Sequence, residues 1–379
     1  MTTLLKITVF VCASGYIVAN LAADTCQTPD KQQGVCKPFK ECLSLYSLLD
    51  NLTQPITTHL RQHHCGFEAN HPKVCCPKST EPDSSIHFNP DSTPSKQNTD
   101  GSTTILQHSL LPNKDSCGST DEDRIIGNYL SLYQYPWTAI LMYQANNQSK
   151  IDCAGTLISS RYVLTSAGCT TGNLPGGAKL VRVRLREHDL ASNPDCDNPD
   201  QGLLCGEPFI EIPIEKTIVH EKYRSDDANH RHDIALIRLN KTVVSGDFLQ
   251  PLCLPSGTDV HKNYTGVKLV QPGWGINNEK VSNSVRVRST VKGQSSEECG
   301  KMFGFNLNRS QLCTIKSESH NKLCSLDIGG SVMSIALTED YPNFYAAGVA
   351  SAGACGGGQP ALYTKVGDYS AWIVSKLEK

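Results

Sequence analysis

The chain has 379 residues, with 35 Lys and Arg against 37 Asp and Glu and a formal net charge of -2. That balance, with no long basic stretch, excludes an electrostatic case for nucleic acid or an anionic membrane surface as partner. The length accommodates one large domain and something small beside it.

At the N-terminus Lys6 precedes the apolar run ITVFVCASGYIVANLAA, which closes on small residues before Asp24. This is the pattern of a signal peptide, predicted over residues 1–23 with cleavage near Ala22 or Ala23, and it implies a secreted chain. The competing reading, a membrane anchor, is weakened by Ser14, Gly15 and Asn20, which interrupt the run. No later apolar run approaches the roughly 18 residues a spanning helix needs. Of the 17 cysteines Cys12 falls in the leader, and the even remainder of 16 points to disulfides in an oxidising compartment rather than to zinc.

Six cysteines come next, between Cys26 and Cys76: Cys26, Cys36, Cys42, Cys65, Cys75 and Cys76. A segment of about fifty residues buries little apolar area, so disulfides are what it needs to hold a shape. Sequence alone leaves 15 connectivities open. The next stretch, rich in Ser, Thr, Pro, Asp and Asn, reads as a linker within residues 77–124. Beyond it come short β-rich runs (KLVRVRL, TIVHEKY, IALIRL, FYAAGVA) punctuated by Gly, Pro and Asn, and a helical spacing is visible at DYSAWIVSKLEK. Residues 125–379 are therefore predicted all-β, a sandwich or barrel.

Several local patterns in this part stand in one order: RIIGNYLSLYQYPWTAIL, CAGTLISSRYVLTSAGC, HDIALIRL, PGWG, CSLDIGGS and PALYTKVGDYSAWI. Together they resemble the chymotrypsin-like serine proteases, which implies a double β-barrel with a C-terminal helix. In that family a serine attacks, a histidine takes its proton and a carboxylate orients the histidine. By resemblance the histidine position is Gly168, the aspartate position is Asp233 and the serine position is Ile328. Glycine supplies no base and isoleucine no nucleophile, so the chain is expected to lack peptide hydrolysis. Leu326 stands where a glycine N–H serves the oxyanion, Lys322 at the floor of the primary specificity pocket, and Ala352 where its wall is usually aromatic. Ser166, Ser331 and His232 are the nearest residues that could stand in; His232 is expected at the surface, because neighbouring strand residues face opposite ways.

The resemblance also implies an activation device: cleavage after Arg124, a new N-terminus at Ile125, and a buried pair between that amine and Asp327. It implies the bridges Cys153–Cys169, Cys299–Cys313 and Cys324–Cys355, a tether Cys117–Cys253, and a loop bridge Cys196–Cys205. The N-terminal spacing C-x9-C-x5-C-x22-C-x9-C-C resembles the clip domain of arthropod protease cascades over residues 26–76. That family pairs Cys26–Cys75, Cys36–Cys65 and Cys42–Cys76.

The whole chain is thus similar to clip-domain serine protease homologues of the easter and prophenoloxidase-activating type. The resemblance implies a secreted hemolymph regulator, with an active clip protease, prophenoloxidase and an upstream protease cutting at Arg124 as partners. Some such homologues act as cofactors in melanization or Toll-type cascades and others dampen them. A decoy and an enzyme with an unorthodox site are the alternatives. Glu187 and Asp189 open a loop that in related proteases can hold Ca²⁺, against the plainer reading of a solvated acidic loop. Sequons stand at Asn51, Asn147, Asn240, Asn263 and Asn308.

Overall fold

A computed structural model describes residues 25–46, 63–68, 71–77, 108–119, 132, 134–171, 177–197, 204–246, 248–275, 284–316, 325–337, 342–353 and 360–378. The predicted signal peptide (1–23), Asn51, Arg124, Ile125, Lys322, Cys324 and Cys355 lie outside them. Two compact units, residues 1–97 and 98–379, divide the chain.

In the first unit β1 (Thr25–Gln27), β2 (Gln33–Pro38), β3 (His64–Glu68) and β4 (His71–Pro77) form an antiparallel sheet in the order β1-β2-β4-β3. A short helix, α1 (Leu43–Tyr46), comes after β2. The buried apolar cluster is small, Cys42, Leu45, Val74 and Cys76 with Phe39 against it. Disulfides Cys26–Cys75, Cys36–Cys65 and Cys42–Cys76 supply the constraint that so small a core lacks.

The second unit is two closed barrels. Six strands build the first: β5 (Thr138–Ala145), β6 (Gln148–Ser159), β7 (Tyr162–Thr165), β8 (Lys179–Leu185), β11 (Ile210–Val219) and β12 (Ala235–Leu239). A ribbon of β9 (Cys196–Asp197) and β10 (Leu204–Cys205), bridged by Cys196–Cys205, is inserted between β8 and β11. The second barrel holds β13 (Lys268–Gly273), β14 (Val287–Gly293), β15 (Gln311–Lys316), β16 (Ser331–Leu337), β17 (Pro342–Gly353) and β18 (Ala361–Lys365). Closure leaves no unpaired edge, which is why both barrels can be built from short strands.

Between β14 and β15 lies α2 (Ser296–Phe303), a helix outside the predicted elements. Its signal is at the termini. The Ser295 side chain accepts from the Glu298 N–H at 3.2 Å, its hydroxyl donates to the Glu298 carboxylate at 2.9 Å, and Gly304 closes the helix at φ 76°. The C-terminal helix α3 (Ser370–Ser375) is docked through Glu378, three residues beyond its end. The Glu378 N–H donates to the Tyr162 hydroxyl at 2.8 Å, and the Glu378 carboxylate meets Lys216 at 2.7 Å and Arg238 at 3.3 Å.

One apolar cluster runs through both barrels, with Trp137, Leu141, Leu157, Val163 and Leu236 from the first and Val270, Met333, Phe344 and Val349 from the second. Each such fully buried aliphatic side chain contributes about 1.5–3 kcal/mol. At the seam Tyr135 meets Phe344 edge-on at 5.5 Å, and the Trp137 indole N–H points at Met333 Sδ, 3.1 Å away. Residues 108–119 are strapped to this body by Cys117–Cys253. Two backbone bonds of Gly118 assist, its N–H to Pro251 O and its carbonyl from the Phe344 N–H, each 2.9 Å.

The seam also contains a buried cation. Arg286 donates to the Gln134 carbonyl at 2.6 Å and the Glu187 carbonyl at 3.0 Å, while its own N–H reaches the His188 carbonyl at 2.8 Å. Burial lowers its pKa to about 10, still charged at neutral pH. A planar fork spans two carbonyls on separate segments, which a compact ammonium does not. We expect Arg286→Ala to cost about 3 kcal/mol in urea denaturation, since two buried carbonyls lose their donor. Arg286→Lys should retain most of that loss.

Candidate functional site at the barrel seam

Three segments converge where the barrels meet. Gly168 lies just past β7, Asp233 just before β12, and the register Thr165 to Ala235 brings these two ends side by side. The third segment is the turn 325–330 leading into β16. It is bound to the first barrel through the Ala154 N–H, which donates to the Ile328 carbonyl at 2.7 Å. Thr156 reinforces this, its hydroxyl donating to Ser331 Oγ at 2.8 Å and accepting from the Ser331 N–H at 3.2 Å. Gly329 is at φ +85°, and a β-carbon there would stand 2.3 Å from Thr165 Oγ1 and 2.4 Å from the Ala154 carbonyl. Only glycine satisfies both the backbone conformation and the space.

Asp233 is 4% exposed. Its Oδ1 accepts from the Gly168 N–H at 2.8 Å, the Ala167 N–H contributes, and Oδ2 accepts from the Ser351 hydroxyl. Ser351 reaches it because β17 carries an irregularity between Ala350 and Ala352, which turns the intervening side chain toward the seam. Sequence reasoning passed over Ser351 and singled out its neighbour Ala352, which is half-buried in β17. Burial pushes the Asp233 carboxyl above its ordinary value, because the hydrogen bonds that lower it are outweighed by desolvation.

No imidazole and no hydroxyl stand at the other two positions. Ile328 is half-buried and packs against the common apolar cluster. A β-carbon on Gly168 would meet Tyr223 Oη at 3.5 Å and the Asp233 oxygens at 3.7 and 3.9 Å, all ordinary contacts, so the backbone there does not demand glycine. The stand-ins do not assemble either. Ser331 is engaged with Thr156, and Ser166 is 0% exposed. His232 turns away, but for a reason other than strand alternation. It precedes β12 in a turn at φ 57°, stacks on His220 at 5.0 Å and bonds through Nδ1 to the Tyr369 hydroxyl at 2.9 Å. Its exposure is partial, not that of a free surface side chain.

Leu326 and Asp327 lie in the 3-10 turn Ser325–Asp327. Asp327 is 3% exposed, and its Oδ1 accepts from the Trp274 N–H at 2.9 Å and the Gly275 N–H at 3.2 Å. The bridges Cys153–Cys169 and Cys299–Cys313 are formed. Asn147, Asn240 and Asn263 are exposed and Asn308 is half-buried, its side-chain oxygen engaged by Ser310.

Glu187 and Asp189 do not fit a Ca²⁺ site. The Glu187 carboxylate is 1% exposed and ion-paired with Arg184 at 2.9 Å, and Arg286 lies against its carbonyl. Asp189 Oδ1 accepts from the Ala191 N–H, and Asp195 is held by the His188 and Asp189 N–H groups and the Ser192 hydroxyl. Hard cations need several free oxygens, whereas the Glu187 and Asp195 carboxylates are taken by donors and Glu187 is paired with a guanidinium. Among the described residues no group of three or more His, Cys, Asp or Glu is arranged to hold a metal.

Comparison with known proteins matches residues 125–373 to the Trypsin family and residues 26–76 to the Regulatory CLIP domain of proteinases. The chain is 32% identical to CLIP domain-containing serine protease HP8 of Bombyx mori, over 99% of this chain and 98% of that protein. It is 31% identical to Serine protease ea of Drosophila melanogaster (93% of this chain, 91% of that one) and 31% to Melanization protease 1 of the same organism (93% and 92%). The crystal structure of the Drosophila Grass clip serine protease of the Toll pathway superimposes with a TM-score of 0.60 at 29% identity, covering 93% of this chain and 96% of that one.

Replacing Asp233 tests the electrostatics of the site. A carboxyl whose folded pKa is raised is destabilising when ionised, and that cost disappears as pH falls from the raised value toward the ordinary 3.8. Asp233→Asn is therefore expected to raise the thermal midpoint at neutral pH, with the gain fading across that acid window in calorimetric scans.

Proposed function

The chain belongs to the trypsin family and carries its regulatory CLIP domain, and from that premise we propose that it is a secreted, non-catalytic homologue that regulates an extracellular immune protease cascade. In this reading it acts as a cofactor or scaffold, set by cleavage after Arg124, that positions an active clip protease and its substrate, prophenoloxidase in a melanization cascade or the corresponding substrate of a Toll-type one. The observation that carries the reading is the pair Gly168 and Ile328, placed where Asp233 and the turn before β16 converge. A protease needs a base and a nucleophile there, and neither side chain has a lone pair with which to accept a proton or to attack. Ser331 and His232, the residues nearest to standing in, are bonded elsewhere.

Support for the cleavage device comes from the burial of Asp327 in the turn before β16 and from Cys117–Cys253. A cut between Arg124 and Ile125 leaves everything before it covalently joined to the body through that bridge. Secretion is supported by the leader and by the disulfides, and no helix of the described residues is long and apolar enough to cross a membrane.

A fluorophosphonate probe applied after cleavage at Arg124 checks the loss of catalysis: no labelling is expected, and stoichiometric labelling would overturn it. Adding the cleaved chain to a prophenoloxidase reaction containing an active clip protease should accelerate product formation. Slowing would instead assign a decoy role.

A further inference from the structure

Gly168 leaves more behind than a missing base. Its position is partly open to solvent, and directly beneath it lies a carboxylate held by neutral groups. Those groups are the Gly168 and Ala167 N–H and the Ser351 hydroxyl, and the cationic influence on Asp233 comes from His230 on an exposed turn. The point where a residue-168 side chain would begin is 3.7 and 3.9 Å from the two Asp233 oxygens and 3.5 Å from Tyr223 Oη. All three nearest atoms are oxygens, and two of them belong to the Asp233 carboxyl. A buried carboxylate without a cation is costly, and its attraction to one is strongest where water is thinnest.

We propose that the notch above Asp233 at Gly168 is a binding site for a planar organic cation, the guanidinium or imidazolium head of a side chain that a partner protein presents. Planarity is set by the floor. The carboxylate already accepts two backbone N–H groups and one hydroxyl, so its remaining lone pairs favour a flat donor entering from the open side over a bulky tetrahedral ammonium. Tyr223 Oη provides a further acceptor on the rim. The inference goes beyond the regulatory reading and is independent of it, since it requires neither cleavage nor a cascade.

The test uses the full chain, ¹⁵N-labelled, with the amide of residue 168 as reporter because that N–H is bonded to Asp233. Guanidinium chloride at non-denaturing concentration, and imidazole below its pKa of about 6.5, are titrated at matched ionic strength. Urea serves as the neutral isostere of guanidinium. Saturable shifts with both cations and none with urea are expected. Gly168→Ala fits without crowding and fills the notch, and Asp233→Asn removes its charge. Each is expected to weaken guanidinium binding at least about tenfold, or about 1.4 kcal/mol. Equal response to urea and guanidinium, absence of saturation with guanidinium, or wild-type affinity in both variants overturns the proposal.

Discussion

The hydrogen bond from the Ala154 N–H to the Ile328 carbonyl is the constraint on which the site depends. It ties a turn of the second barrel to a strand of the first, and the Thr156–Ser331 contacts beside it prevent that turn from sliding. Gly329 wedges between Thr165 and the Ala154 carbonyl with no room for a β-carbon. All of these contacts are made by backbone atoms or by residues other than 328. The geometry that would present a nucleophile therefore persists whichever side chain occupies that position, and an isoleucine can settle there against the apolar cluster.

The same separation between scaffold and chemistry holds at Asp233. A buried carboxylate must find donors. Here backbone N–H groups and the Ser351 hydroxyl supply them, so the residue survives the absence of an imidazole. Those bonds keep it hydrogen-bonded without neutralising its charge, and its raised pKa records the difference. The seam thus carries two buried groups of opposite charge type with unlike solutions: Arg286 shares its fork among carbonyls, and Asp233 is held by backbone N–H groups and the Ser351 hydroxyl.

In the proposed regulatory role, the features retained are those that respond to cleavage. Asp327 lies buried in its turn, and Cys117–Cys253 keeps the N-terminal segments on the body. The small clip sheet holds three disulfides around a minimal core, so constraint supplies what apolar burial does not.

Sequence by itself determined the two-part organisation, the β-rich class of the larger part and, through ordered motifs, which positions stand at 168, 233 and 328. Those features are local: turn residues, cysteine spacings and short apolar runs are written in neighbouring letters. The helix α2 was written there too, in its capping residues. What only the tertiary structure decided is everything that depends on who meets whom across the seam. Ser351 turns to Asp233 through a strand irregularity. These partners are separated by 118 residues along the chain, and no local pattern specifies a contact that exists only once both barrels have closed.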